Sequence, residues 1–303
     1  MKVLLTGAAG QLGQALIASK PFDVELISTS RTGGQVFEAL DLSDDEACQQ
    51  AVQTHRPDWI LNAGAYTAVD KSESEPELVK AVNALAPRAF AQALVDYCPS
   101  GRLLQLSTDF VFNGQQGFPY QPDQCTNPLG VYGATKAAGE KAAAELLGTG
   151  LDGHAAILRT SWVYGPVGRN FLLTMLHLHR LKAEDKEPLP VVADQVGCPT
   201  ATLGLAKVCW TVITRQVSGV LHWSDAGAAT WYDFAQAIGT LGLARGLISA
   251  TAEVKPIRSC EYPTPACRPS YSLLDCSSTQ ELLGMTPRHW RIMLDEVLAV
   301  LNA

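Results

Sequence analysis

The sequence predicts an α/β fold: a doubly wound parallel sheet with helices on both faces, followed by a smaller C-terminal domain. Three observations predict it. The chain opens on a β-branched and leucine run at residues 2–6 that passes into a glycine turn and a helix. Short apolar runs at 24–29, 58–62, 102–106 and 155–159 then alternate with helix-length segments, the pattern of βαβ units. From residue 170 the alternation changes, with helices at 171–180, 202–214, 230–242 and 288–301 and short strands at 188–193 and 219–223. Residues 1–165 are expected to form one domain, with segments near 195–225 returning to it, and 166–303 mainly the other.

Composition excludes several classes. The 303 residues are 47% hydrophobic and 17% charged, ordinary for a soluble globular chain. A net charge of −7 argues against nucleic acid or an anionic membrane as principal partner. No apolar run reaches the ~20 residues that span a bilayer. None of the eight cysteines forms a C-x-x-C pair, so a zinc site is not expected. No signal pattern precedes the first strand, and reduced thiols in the cytoplasm are the expectation.

The turn G-A-A-G-Q-L-G, with Gly7, Gly10 and Gly13, lies between a strand and a helix. Glycines there allow a tight turn and close approach of backbone to a pyrophosphate, and the helix N-terminus offers free N–H groups. This is the opening of a Rossmann dinucleotide site. Ser30 and Arg31 end the second strand, where an acidic residue would select NAD; a serine and an arginine instead suit the extra 2′-phosphate of NADP. A plain loop arginine is the competing reading. Asp41 can accept from an adenine amino group, and Ser43 reads as the N-cap of a helix at 44–54. Ala63, Gly64 and Ala65 follow the strand at 58–62 and are expected to line the cofactor; Tyr66, Thr67 and Val69 point towards substrate. Asn83, on a helix at 77–95, either ties backbone groups together or is a surface asparagine.

After the run at 102–106 comes S-T-D-F-V-F, then a Gly/Pro-rich loop, then V-Y-G-A-T-K on a helix. Tyr132 and Lys136 are four apart and share a helix face. An ammonium beside a phenol is expected to lower the tyrosine pKa, and Thr108 at the strand end adds a second hydroxyl. Together they can protonate an alkoxide as hydride reaches a carbonyl carbon. A packing tyrosine and a solvated lysine are the bland alternative. Trp162 falls at a strand C-terminus, where ligands lie in open parallel sheets, or packs a domain interface.

The stretches G-A-A-G-Q-L-G, N-A-G-A-Y-T-A-V-D-K-S-E, S-T-D-F-V-F-N-G, V-Y-G-A-T-K-A-A-G-E, R-T-S-W-V-Y-G, D-Q-V-G-C-P-T and R-P-S near Arg268 occur in order. They closely resemble the dTDP-4-dehydrorhamnose reductase family of the extended short-chain dehydrogenase/reductase class, over nearly the whole chain. The resemblance implies that NADPH, or NADH, reduces C4 of dTDP-4-dehydro-β-L-rhamnose. It implies Tyr132 as proton donor, with Lys136 as its partner and holding the nicotinamide ribose, and Thr108 on the reacting oxygen. Asp109 and Trp162 would hold the nucleotide-sugar. Gly10, Gln11, Leu12, Asp41, Leu42, Ala65, Tyr66 and Thr67 match the family's cofactor positions. The chain departs from the common pattern at Phe110, where many members carry a tyrosine, and at Gly130. Where some members place a Mg²⁺-binding glutamate at a dimer contact, this chain has Ala15. No metal is therefore expected, and the chain is a monomer or a homodimer. A reductase or epimerase of another nucleotide-sugar, and a non-catalytic NADP-binding subunit, are the competing functions.

Overall fold

The computed structural model describes residues 1–301. In chain order the first half comprises β1 (Lys2–Thr6), α1 (Gln11–Ala18), β2 (Glu25–Ser30), β3 (Glu38–Ala39), α2 (Asp45–His55), β4 (Trp59–Asn62), α3 (Val69–Ser72) and α4 (Pro76–Lys80). A π-helical turn (Ala81–Leu85), α5 (Ala86–Tyr97), β5 (Arg102–Thr108), a 3₁₀ turn (Asp109–Val111), α6 (Val131–Leu147) and β6 (Ala155–Thr160) follow. The second half comprises β7 (Val163–Tyr164), α7 (Phe171–Asp185), β8 (Leu189–Val192), β9 (Val196–Gly197), β10 (Thr200–Ala201), α8 (Thr202–Thr214) and β11 (Gly219–His222). It ends with β12 (Ala229–Thr230), α9 (Trp231–Ala244), β13 (Val254–Ile257), a 3₁₀ turn (Ser259–Glu261), α10 (Ser277–Leu283) and α11 (Trp290–Leu301).

Seven parallel strands form one sheet in the order β11-β6-β5-β4-β1-β2-β3. The chain order reverses between β1 and β4, which opens a crevice beyond the strand C-termini. Every residue of β4 and β6 is buried, as a parallel sheet covered on both faces requires. On one face Leu16 of α1 packs with Leu205 and Trp210 of α8, whose indole N–H donates to the Leu16 carbonyl at 3.1 Å. On the other, Phe90 and Leu94 of α5 pack on Leu4 and Ile60. A separate core gathers Tyr164, Phe234, Trp290 and Leu294 from the second half.

Several local expectations change. Asp44, not Ser43, caps α2: its carboxylate accepts from Ala47 N at 3.0 Å, while the Ser43 hydroxyl turns to Asp41. The helix expected at 77–95 begins at Pro76 and is broken by the π turn. Part of the proline-rich coil after residue 256 continues β13, which pairs in parallel with β8. A strand paired at its edge draws on a partner far away in sequence, which local composition does not encode.

Candidate active site

The glycine turn after β1 is built for a ligand's backbone approach. Gly7 has φ +66, and a Cβ there would lie 2.7 Å from Gly64; a Cβ on Gly13 would lie 2.3 Å from the Gly7 carbonyl. The Thr6 hydroxyl accepts from Gly64 N at 3.0 Å and holds the facing segment. Gly10 at the N-cap of α1 offers no side-chain cap, and the first turn carries no acidic residue. The N–H groups of α1 therefore face open space in a form that suits a pyrophosphate.

That turn forms the floor of a cleft of about 710 Å³. Gly7, Gly10, Gln11, Leu12 and Gly13 line it from one side, and Arg31, Asp41 and Leu42 from the β2–α2 side. Ala63, Gly64, Ala65, Tyr66 and Thr67 form the wall after β4, and Tyr132 and Lys136 close the far end. Ser30 is not on this wall: it is buried, and its hydroxyl reaches Gly33 O at 3.4 Å. Only Arg31 of that pair faces the cleft. One Asp41 oxygen takes both the amide and the hydroxyl of Ser43, at 2.9 and 2.8 Å, and the amide bond foremost holds the carboxyl below its ordinary range. Val69, Thr108, Asp109 and Trp162 lie outside this wall.

At the catalytic end, β5 runs into the 3₁₀ turn that Thr108 caps. The Thr108 hydroxyl accepts from Phe110 N at 3.2 Å and lies 3.0 Å from the Asp109 carboxylate. The Tyr132 phenol lies near the Thr108 hydroxyl, and its ring meets Phe110 edge-on at 5.8 Å. Burial pushes this phenol up to about 12, with the Asp109 charge adding to the rise. The expected downward shift is therefore overturned. Lys136 spends a hydrogen bond on Leu106 O, at 2.6 Å, and burial draws its ammonium down to about 8 against the pull of Glu140. Burial also raises Asp109 to about 6, opposed by the nearby Ser272 and Thr108 hydroxyls.

Trp162 has φ +46, rare for a bulky residue. Its indole stacks on Trp231 at 3.5 Å and 6°, and a Cβ on Gly197 would fall 2.6 Å from its ring. The Trp231 N–H donates to Gln195 at 3.1 Å, and Gln195 donates to Ser259 at 2.9 Å. The stack on Trp231 gives the packing reading of Trp162 a physical basis. Gly197→Ala is expected to dislodge the indole from its stack on Trp231; intrinsic tryptophan fluorescence of the folded variant checks this.

Other site residues escape a reading of the sequence. Glu73 reaches from a loop to accept from Val131 N at 2.9 Å, so it caps the helix that carries Tyr132. The vacant side of Gly130 accommodates it: a Cβ there would sit 2.6 Å from the Glu73 carboxylate. Glu73→Ala is expected to cost about 1 kcal/mol of stability by denaturant unfolding. Arg268 forks onto Asp70, with its Nη2 at 2.8 Å, and binds the C-terminal coil to the segment after β4. Asn83 does tie backbone together: it accepts from Tyr66 N at 2.9 Å and donates to Tyr66 O at 3.0 Å. The π turn aims it there. Among the described residues no cluster of three or more His, Cys, Asp or Glu side chains could hold a metal, and no helix is long and apolar enough to cross a membrane.

A glycine turn at the sheet's reversal point, with tyrosine and lysine one turn apart beside it, defines the extended short-chain dehydrogenase/reductase class, and the chain is an oxidoreductase of that class. The family model described as the RmlD substrate binding domain matches residues 1–303, and the chain belongs to that family. It is 40% identical to a dTDP-4-dehydrorhamnose reductase of Streptomyces griseus, covering 97% of this chain and 91% of that one. A crystal structure of a dTDP-4-dehydrorhamnose reductase from Clostridium acetobutylicum superposes with a TM-score of 0.88 at 34% identity, over 100% of both chains. One from Bacillus anthracis, in complex with NADP, gives 0.85 at 31% identity over 99% of each.

Proposed function

We propose that this protein reduces the C4 keto group of dTDP-4-dehydro-β-L-rhamnose to give dTDP-β-L-rhamnose, with NADPH as the preferred cofactor. The observation that carries the reading is the Tyr132 phenol, one helical turn from Lys136 at the end of a cleft floored by an uncapped helix N-terminus.

The glycine turn and α1 would hold the pyrophosphate, and Arg31 the 2′-phosphate. When bound, the reduced dinucleotide supplies the hydride. Tyr132 stays protonated through neutral pH, as a donor must, and gives its proton to the oxygen that gains charge. Thr108 holds the same oxygen through its hydroxyl. Lys136 stabilises the phenolate left behind, and its ammonium is poised for this because burial has left it poorly solvated. Asp109 and Trp162 bear on the sugar. Residues 1–165 with the segments near 195–225 would carry the cofactor, and the rest of 166–303 mainly the sugar-nucleotide.

The test is substrate-dependent loss of NADPH absorbance with the purified protein in EDTA. Turnover there supports the reading and its independence of added metal; NADPH binding without turnover on this sugar would sink it. Arg31→Ala is expected to raise KM for NADPH about tenfold and leave NADH unchanged, since a charge-assisted bond to phosphate contributes ~1.5 kcal/mol or more. An unchanged NADPH/NADH ratio would remove Arg31 from that role.

A further inference from the structure

We infer that Glu140 is a positioning residue for this reduction: from one turn behind Lys136 on α6, its carboxylate holds the end of β5 whose carbonyl receives the Lys136 ammonium. The inference rests on the reductase reading and assigns a part to a buried charge which that reading does not use.

Lys136, Glu140 and Arg159 are 4%, 5% and 4% exposed, three charged side chains inside the protein, two of them paired with each other. Arg159 of β6 holds Glu140 through Nε, 3.1 Å from each oxygen, and Nη2, 2.8 Å from Oε2. The Ser107 hydroxyl donates to the other side of the same carboxylate. Ser107 lies between Leu106, whose carbonyl receives the Lys136 ammonium, and Thr108, whose hydroxyl lies near the Tyr132 phenol. Glu140 therefore touches the strand at the residue that separates two catalytic contacts. Arg159 is anchored in turn by Pro122 O at 3.1 Å and by His222 Nε2 at 3.3 Å. Burial and that guanidinium push His222 down to about 3, so it stays neutral and accepts from Arg159. Its other nitrogen then donates to Tyr120 O, at 3.0 Å.

Around Lys136 the titratable groups are Tyr132 and Glu140 on its own helix, Asp109 on the turn after β5, and Arg159 on β6. Asp109 acts on Tyr132, Arg159 acts on Glu140, and the negative charge that acts on Lys136 itself is Glu140. Removing that charge should release the ammonium's proton at lower pH.

Glu140→Gln keeps the shape and the acceptor for Ser107 but leaves Arg159 uncompensated, which can cost the fold. The paired variant Glu140→Gln/Arg159→Gln removes both charges and guards against that outcome. In both, ¹³Cε-lysine NMR of the free protein is expected to show Lys136 titrating about one pH unit lower than in wild type. The alkaline limb of kcat/KM for the sugar should move down with it, and kcat at neutral pH should fall about tenfold. A folded paired variant whose Lys136 titration and alkaline limb coincide with wild type overturns the inference. The NMR reading needs no turnover, so failure of the reductase reading itself would show separately, as absent NADPH oxidation in wild type.

Discussion

Tyr132→Phe is expected to lower kcat by ~10²–10⁴ while NADPH binding changes by no more than a few-fold. The ring packs edge-on against Phe110, and phenylalanine keeps that contact, so the variant should fold. What it loses is the hydroxyl beside Thr108 and, with it, the proton. Stopped-flow turnover with NADPH and the keto sugar, alongside binding by fluorescence, separates the two effects. A rate within tenfold of wild type would mean that another group donates. The pH profile should carry the same signature. With the phenol up at about 12, its own titration lies outside the working range, and activity should decline above about pH 8 as Lys136 loses its charge. Thr108→Ala should weaken the reaction less than Tyr132→Phe, because it removes a hydrogen bond rather than the proton source.

Asp225 is expected to give the protein a stability that falls as pH rises from 5 to 8. Its side chain is 4% exposed, and one oxygen accepts from Ala201 N, at 2.9 Å, at the start of α8. Burial raises its pKa from 3.8 to about 7, opposed by that hydrogen bond and helped by Glu296. In the unfolded chain the carboxyl loses its proton near pH 4; in the folded protein it keeps it until about 7. The contribution is therefore fully present below pH 4 and is lost as pH climbs through 7. Between pH 5 and 8 the loss is about 2–3 kcal/mol, by linkage at 1.36 kcal/mol per pKa unit. Asp225→Asn cannot ionise, so its unfolding free energy should decline less over the same range. Parallel urea titrations at the two pH values decide it. Equal slopes for wild type and variant would show that Asp225 is not the titrating group.

The linear sequence determined the class of fold and the glycine turn that floors the cleft. Strands β1, β4, β5 and β6 read as continuous apolar runs because a parallel sheet buries both faces, a requirement each strand carries in its own residues. The glycine turn was legible for the same reason: Gly7, Gly10 and Gly13 answer a local need of backbone geometry. The helix expected at 202–214 is α8 (Thr202–Thr214). Tyr132 and Lys136 were visible because one helical turn separates them. The tertiary structure alone decided what surrounds them. Glu73 caps α6 from 58 residues away, and Trp231 covers Trp162 from another part of the chain. Ser30 turned inward while Arg31 faced the cleft. The direction of the Tyr132 shift reversed, since adjacency to a lysine is a property of spacing but the cost of losing water is a property of burial. Hydrogen-bonding partners and dielectric surroundings come from segments that only folding brings together, and no window of sequence contains both sides of such a contact.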